Sequence, residues 1–407
     1  MLQAQALSDL RVVEYGDLVA GPYCARLLAD GGADVVKVET PAGDASRGRG
    51  PFAGDTPNPE GSGLYLYLNA NKRGIVLDLQ QQGDATTLRR LLRQADVLVV
   101  NHQPSSIEAL GLRRHQLQEL NPRLIVTAIT PFGLTGPWRD FAGDDLIALA
   151  SGGLSHASPG VPDMVTDPEA EPPLRAATPV AEFVAGLQAA MATMVAVTAR
   201  GIRGTACEVD VSLQEAVAMV MTWEVANASY MTPKRREPMV FGAMPNTYLP
   251  CKDGYVVIVG FLEQHWQGIV KVMGEPDWAR SEVFATAAER ARNWDALQPF
   301  MLEWTMARTG EEIAELAQGR GLPCFPAYTV GQMMASDQVK AREFFLTHEL
   351  PNGEEVQLPG FPIRMGTTPW TLRRPAPRLG QHTEEVLKEW LGASPAELPD
   401  VLPSSAT

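Results

Sequence analysis

The sequence predicts an α/β protein, with a doubly wound, mainly parallel sheet in its first part and a smaller α+β domain after it. Two observations carry that expectation. Over the first third of the chain, short β-branched runs alternate with helix-like stretches, the order a parallel sheet needs because a helix must cross back between strands. Farther along, a hairpin signal and a series of charged, Trp-containing helices replace that alternation.

Leu10-Arg11-Val12-Val13-Glu14-Tyr15 reads as the first strand. Gly21-Pro22 follows, with proline where a first helical turn tolerates it, and residues 23–30 form a short helix stopped by Gly31-Gly32. Residues 35–39 and 75–79 are the next strands. Residues 86–94 are helical, because Leu88, Leu91 and Leu92 share a face opposite Arg89, Arg90 and Arg93. Strands at 97–100 and 124–126 complete the alternation. From Thr178-Pro179 a run rich in Ala, Met and Val continues to Arg200 with almost no charge, which predicts a buried helix. Residues 205–212 read as a strand, 213–231 as an apolar helix, and 248–259 as a hairpin about Asp253-Gly254, a dipeptide suited to turns with positive φ. Helices are expected over about 263–320, a return segment is marked by Pro323, Pro326 and Gly331, and 383–391 is the final helix.

A formal net charge of −14 over 407 residues repels phosphate backbones, so no nucleic-acid partner is expected. The dense basic run, Lys234-Arg235-Arg236 beside Pro233 and Pro238, reads as a solvated loop. The first ten residues lack the basic start and apolar core of an export signal. Apolar runs such as 189–197 fall short of the ~20 residues that span a bilayer, so no membrane span is expected and the cytoplasm is the expected location. The four cysteines form no CxxC pair and are expected as reduced thiols.

Gly16 and Gly21 do not make the GxGxxG spacing of a dinucleotide site, and GxxxxGK[ST], HExxH and GxSxG signatures are missing. The six histidines stand alone, and no metal site is expected. Asp144-Asp145 beside Gly143 has two readings: a pair sharing a proton or holding a cation, or an N-cap for the apolar stretch 146–150. Glu182 also has two. It sits about one turn into the helix begun by Thr178-Pro179, where a carboxylate complements the positive helix end. In a helix otherwise almost free of charge, desolvation would equally make it a better nucleophile.

Taken together, these segments resemble the class III coenzyme A transferases, of the formyl-CoA transferase and carnitine-CoA transferase type, over about 370 residues. The pieces that carry the resemblance are Val19-Ala20-Gly21-Pro22, Ala33-Asp34-Val35-Val36-Lys37-Val38-Glu39, Gly43-Asp44 with Arg47, and Asn69-Ala70-Asn71-Lys72-Arg73. Asp96-Val97-Leu98-Val99 with Asn101, Gly133-Leu134-Thr135-Gly136-Pro137, Asp145 before Ser151-Gly152-Gly153, and Val209-Asp210-Val211-Ser212-Leu213 continue the series. It closes with Asp253-Gly254-Tyr255, Ala341-Arg342-Glu343-Phe344-Phe345 and Pro377-Arg378-Leu379-Gly380 before Thr383-Glu384-Glu385.

The resemblance implies a Rossmann-like large domain, a small domain, and two subunits interlaced like chain links. The expected boundaries are 1–225 for the first part of the large domain, 226–330 for the small domain and 331–407 for the return. It implies transfer of coenzyme A between an acyl-CoA thioester and a free carboxylic acid through an enzyme-carboxylate anhydride, with no cofactor beyond the thioester substrate. Glu182 matches the family nucleophile, an aspartate in relatives, and Val19, Lys72, Arg73 and Asn101 match coenzyme A positions. Val19 stands where formyl-CoA transferase has glutamine, and the glycine-rich lid has no counterpart around Phe241-Gly242-Ala243. The expected partners are acyl-CoA, carboxylic acids, and a second copy or a homologous subunit. Two alternatives accompany this reading: a non-catalytic subunit of the benzylsuccinate-CoA transferase kind paired with an Asp-bearing homologue, and an α-methylacyl-CoA racemase using Asp144 and Glu182 as its two bases.

Overall fold

The computed structural model describes residues 5–158, 170–230, 245–260, 262–349 and 353–392. The basic run 234–236 and the segment 241–243 lie outside them.

β1 (Arg11–Tyr15), β2 (Asp34–Glu39), β3 (Arg73–Val76), β4 (Val97–Val100), β5 (Ile125–Thr130) and β6 (Glu208–Ser212) form one sheet in the order β3-β2-β1-β4-β5-β6. Every neighbouring pair is parallel. The strands are short and β-branched, and their side chains alternate between two buried faces, as a parallel sheet covered on both sides requires. Val12, Val35, Val97, Val99 and Ile125 point to one core. Val13, Val36, Ile75, Leu98 and Val126 point to the other.

The helices of this part are α1 (Ala20–Asp30), α2 (Gly63–Asn69), α3 (Gln82–Gln94), α4 (Pro104–Ala109), α5 (Arg114–Leu117) and α6 (Asp145–Ser151). They continue with α8 (Val180–Arg203) and α9 (Leu213–Val220), while all but the first residue of α7 (Leu154–Ala157) and of α10 (Thr222–Tyr230) belongs to a second compact unit. α1, α8 and α9 cover the first core, while α3 and the final helix, Thr383–Leu391, cover the second. Trp390 of that final helix is buried against the second face and donates its indole N–H to Asp34 at 3.0 Å.

α8 carries small residues at every fourth position, Ala181, Ala185 and Ala189, so it can approach α1 closely. The approach is tight enough that a Cβ on Gly186 would stand 2.7 Å from the Ala20 carbonyl oxygen. Length and composition alone would also suit this helix to cross a membrane. Its alanine face is packed in the core instead, while Leu187, Met191, Val195 and Ile202 on the same helix are exposed.

Two expectations are corrected. The third strand is Arg73–Val76 rather than 75–79, because its register with β2 ends where β2 ends, at Glu39 opposite Val76. The described residues of the apolar stretch 213–231 form two helices, α9 and α10, parted at the buried Met221, whose ψ of 37° leaves the helical range.

The chain divides into two compact units. One takes Met1–Leu154, Ala176–Thr222 and Arg342–Thr407, and contains the six-stranded sheet together with an antiparallel pair, β10 (Phe345–Glu349) and β11 (Glu355–Pro359). The other takes Ser155–Arg175 and Trp223–Ala341. Its antiparallel sheet, β7 (Asn246–Cys251), β8 (Gly254–Val259) and β9 (Cys324–Pro326), shares a core with helices Glu263–Val272, Trp294–Met306 and Gly310–Gln318 through Leu249, Val256, Trp266, Leu297 and Ile313.

Candidate active site

In an open parallel sheet the chain leaves neighbouring strands in opposite directions at one point, and ligands bind in the crevice beyond the strand ends there. Here that point lies between β1 and β4. The residues that follow those two strands are joined directly. Asp17 donates its N–H to the Asn101 side-chain oxygen at 2.7 Å, and the Asn101 amide returns a bond to the Asp17 carbonyl at 2.8 Å. The clamp explains the glycines read from the sequence, since a Cβ on Gly21 would come within 2.8 Å of Asn101 Oδ1. Leu18 takes a φ of 60°, which a branched side chain adopts only under constraint, and its N–H is held by the Asp17 and Asp44 carboxylates at 2.9 and 3.3 Å. Val19 is the N-cap residue of α1, buried and making no side-chain cap.

Beneath this loop lies a buried ionic network. Lys37 Nζ sits 2.9 Å from Glu14 and 2.6 Å from Asp44, and Lys72 Nζ sits 2.7 Å from the other Glu14 oxygen. Burial opposes the Lys37 charge, but Asp44 and Glu14 outweigh it and drive the ammonium pKa upward. Lys72 also donates to the Pro22 carbonyl at 2.8 Å and to Asn69 at 2.9 Å, so its three donors are engaged within the fold. Burial pulls its pKa down to about 8 despite Glu14. Removing one member of such a set costs about 3–5 kcal/mol, because a buried charge is left uncompensated.

Glu182 enters from α8. Gly186 abuts the start of α1, and Phe183 packs edge-on against Tyr23 with ring centroids 4.8 Å apart, which sets the first turn of α8 beside the first turn of α1. The N–H groups of Ala181 and Glu182 both donate to Asp145 Oδ1, at 2.7 and 3.2 Å. Asp145 thus caps α8 from across the fold, and Asp144 caps α6 by accepting from Ile147 N at 3.1 Å. The charges that bear most on Glu182 are the carboxylates Asp145, Asp144 and Asp17 and the cation Arg49. Burial first, and then Asp145, push the Glu182 carboxyl up to about 7. Asp17 is likewise raised to about 6, by burial and by Asp44.

The fold therefore brings Val19, Asn101 and Glu182 to the carboxyl end of the sheet, with Lys72 in the network behind α1. Arg73 is elsewhere. It opens β3 at the opposite edge of the sheet, where it pairs with Asp34 at 2.5 Å, Glu389 at 2.7 Å and Glu385 at 3.1 Å. Asn101 spends its side chain on the β1–α1 loop, and neighbouring His102 is driven down to about 4 by burial, so it stays neutral. The roles of Asp17, Asp44 and Arg49 were not legible in the sequence. Gly43-Asp44 was visible as a motif, but its contact with a loop 26 residues away had no local signal.

The sequence matches the model of CoA-transferase family III over residues 7–383. It is 32% identical to the succinyl-CoA:(R)-benzylsuccinate CoA-transferase subunit BbsE of Thauera aromatica, over 95% of this chain and 94% of that protein. It is 30% identical to the succinyl-CoA–L-malate CoA-transferase beta subunit of Chloroflexus aurantiacus, over 97% of this chain and 96% of that one. The fold is similar to a crystal structure of a CAIB/BAIF family protein from Brucella suis, with a TM-score of 0.80 and 29% identity over 95% of this chain and all of the other. Sequence and fold agree, and the chain belongs to CoA-transferase family III.

Proposed function

We propose that this CoA-transferase moves coenzyme A from an acyl-CoA thioester to a free carboxylic acid through a mixed anhydride formed on Glu182. The observation that carries the reading is the Glu182 carboxylate itself, half-buried at the point where α8 meets the start of α1. The ionised carboxylate attacks the thioester carbonyl, a C–O bond forms, the C–S bond breaks, and coenzyme A leaves as thiolate. The acceptor carboxylate then attacks the Glu182 acyl carbon and expels the donor acid, giving a second anhydride. Coenzyme A thiolate attacks the acceptor carbonyl, which releases the new thioester and restores the Glu182 carboxylate. Each step exchanges one activated acyl group for another, so the thioester supplies the drive and no resident cofactor is called for.

Succinyl-CoA, malate, citramalate, glutarate and mesaconate appear in the names of relatives, and each of these acids carries two carboxyl groups. A dicarboxylic acyl donor and a dicarboxylic acceptor are the substrate class we assign. The test is transfer from succinyl-CoA to an isotopically labelled acid. Glu182→Gln should abolish it by more than about a thousandfold, and Glu182→Asp, a carboxylate one methylene shorter, should retain it. Undiminished transfer in Glu182→Gln would remove Glu182 from the chemistry.

The same reading includes assembly. The α8 stripe Leu187, Met191, Val195 and Ile202 is apolar and exposed, which favours burial against a second chain, and relatives are named as alpha and beta subunits. The Rossmann-like and small domains would then interlace with those of a second copy or a homologous subunit, in the cytoplasm where coenzyme A thioesters are made and used. Sedimentation equilibrium of the purified chain should give at least twice its 44.1 kDa mass, and a monomer would overturn the assembly.

A further inference from the structure

The surroundings of Glu182 pose an electrostatic problem. Its neighbours Asp145, Asp144 and Asp17 are all acidic, and an acyl group carrying a second carboxylate would bring another negative charge among them. Like charges a few ångströms apart repel one another more strongly at a partly buried site than in bulk water. A dicarboxylic substrate therefore needs a cation here that is not already spent.

The nearby cations differ in this respect. Lys37 and Lys72 are fully buried and paired. Arg47 is buried and bound to Glu39 at 2.7 Å and Glu60 at 3.1 Å, with its guanidinium 3.7 Å over the Tyr65 ring. Arg49 is exposed, and among the described residues its guanidinium makes no ion pair or hydrogen bond.

Its backbone is fixed all the same. Arg49 N–H donates to Ser46 O at 3.0 Å, and Ser62 Oγ donates to Arg49 O at 2.5 Å. The short 3-10 turn before it, Ala45–Gly48, is pinned to the β1–α1 loop, because Ala45 N–H donates to Asp17 Oδ1 at 2.7 Å and Asp44 caps the turn through Ser46 N at 2.7 Å. A rigid stem thus presents a free guanidinium beside the same loop that meets the start of α8. Guanidinium groups bind carboxylates through paired N–H donors, which gives direction as well as charge.

From this arrangement we infer that Arg49 is a specificity residue, receiving the second carboxylate of a dicarboxylic acyl group whose thioester carbonyl lies at Glu182. The inference rests on the transferase reading above and names the residue that would select its substrates. It explains how a site walled by carboxylates would accept a doubly charged acid, and it assigns Arg49 to the acyl group rather than to coenzyme A.

Equilibrium binding separates the two. Calorimetry on Glu182→Gln protein, in which the thioester stays intact, compares succinyl-CoA with butyryl-CoA, equal in chain length and lacking the second carboxylate. Succinyl-CoA should bind about tenfold tighter, a difference that Arg49→Gln on the same background should erase and Arg49→Lys should partly keep. An unchanged preference in Arg49→Gln, or no preference before it, overturns the inference. Equal weakening of both thioesters also overturns it, by placing Arg49 on coenzyme A. Failure of both thioesters to bind the Glu182→Gln protein would instead strike at the transferase reading itself.

Discussion

Glu182 sits at a helix N-terminus, whose partial positive charge favours ionisation, yet its carboxyl is held up at about 7. Burial and three neighbouring carboxylates outweigh the helix end. A carboxyl raised on folding stabilises the folded chain while it is protonated, and that contribution is lost as pH rises from about 4.5 through about 7. Glu182→Gln should therefore match the parent chain near pH 4 and exceed its stability by about 1–2 kcal/mol near pH 8, a figure reduced for solvent screening. The same ionisation creates the nucleophile. Single-turnover acylation should rise with pH, with a midpoint near 7, and a rate that stays flat between about pH 5.5 and 8.5 would contradict this. The sequence supplied the residue and its low-charge helix. It could not supply the shift, because Asp145 and Asp17 lie 37 and 165 positions away along the chain.

At the scale of elements, the strands and long helices were legible because their signals are local. Branched runs, the Leu88–Leu91–Leu92 face and Gly31-Gly32 each act within a few residues. Strand β3 and the break at Met221 were misread for a common reason. Register with β2 and burial of Met221 are set by distant partners, and neither Gly nor Pro marks the break. Asp144-Asp145 divides the same way, since Asp144 capping its own helix was one of the sequence readings and Asp145 capping α8 was not. That second cap couples structure to chemistry. Asp145→Asn keeps an acceptor for the α8 N–H groups while removing a charge, so it should move the acylation midpoint below that of the parent chain. Asp145→Ala should in addition cost about 1 kcal/mol of stability, read by urea denaturation. A midpoint unmoved in Asp145→Asn would remove the Asp145 charge from the causes of the raised Glu182 pKa.

For the whole molecule, the alternating order of elements foretold a parallel sheet but not its strand order, and the order is what places the site. β1 and β4 become neighbours only through crossovers on opposite faces, and Asn101 joins Asp17 across that gap. Once those two strands are adjacent, the first turns of α1 and α8 meet and the Glu182 carboxylate stands beside the β1–α1 loop. The central claim is that this carboxylate becomes acylated in the purified chain. The direct measurement is mass spectrometry of the Glu182 peptide after incubation with succinyl-CoA and hydroxylamine, which captures an anhydride as a hydroxamate on the enzyme. A hydroxamate at Glu182, dependent on the thioester and lost in Glu182→Gln, is the expected result. A purified chain that transfers coenzyme A while Glu182 stays unmodified, with the label on another carboxylate such as Asp17 or Asp145, would contradict it.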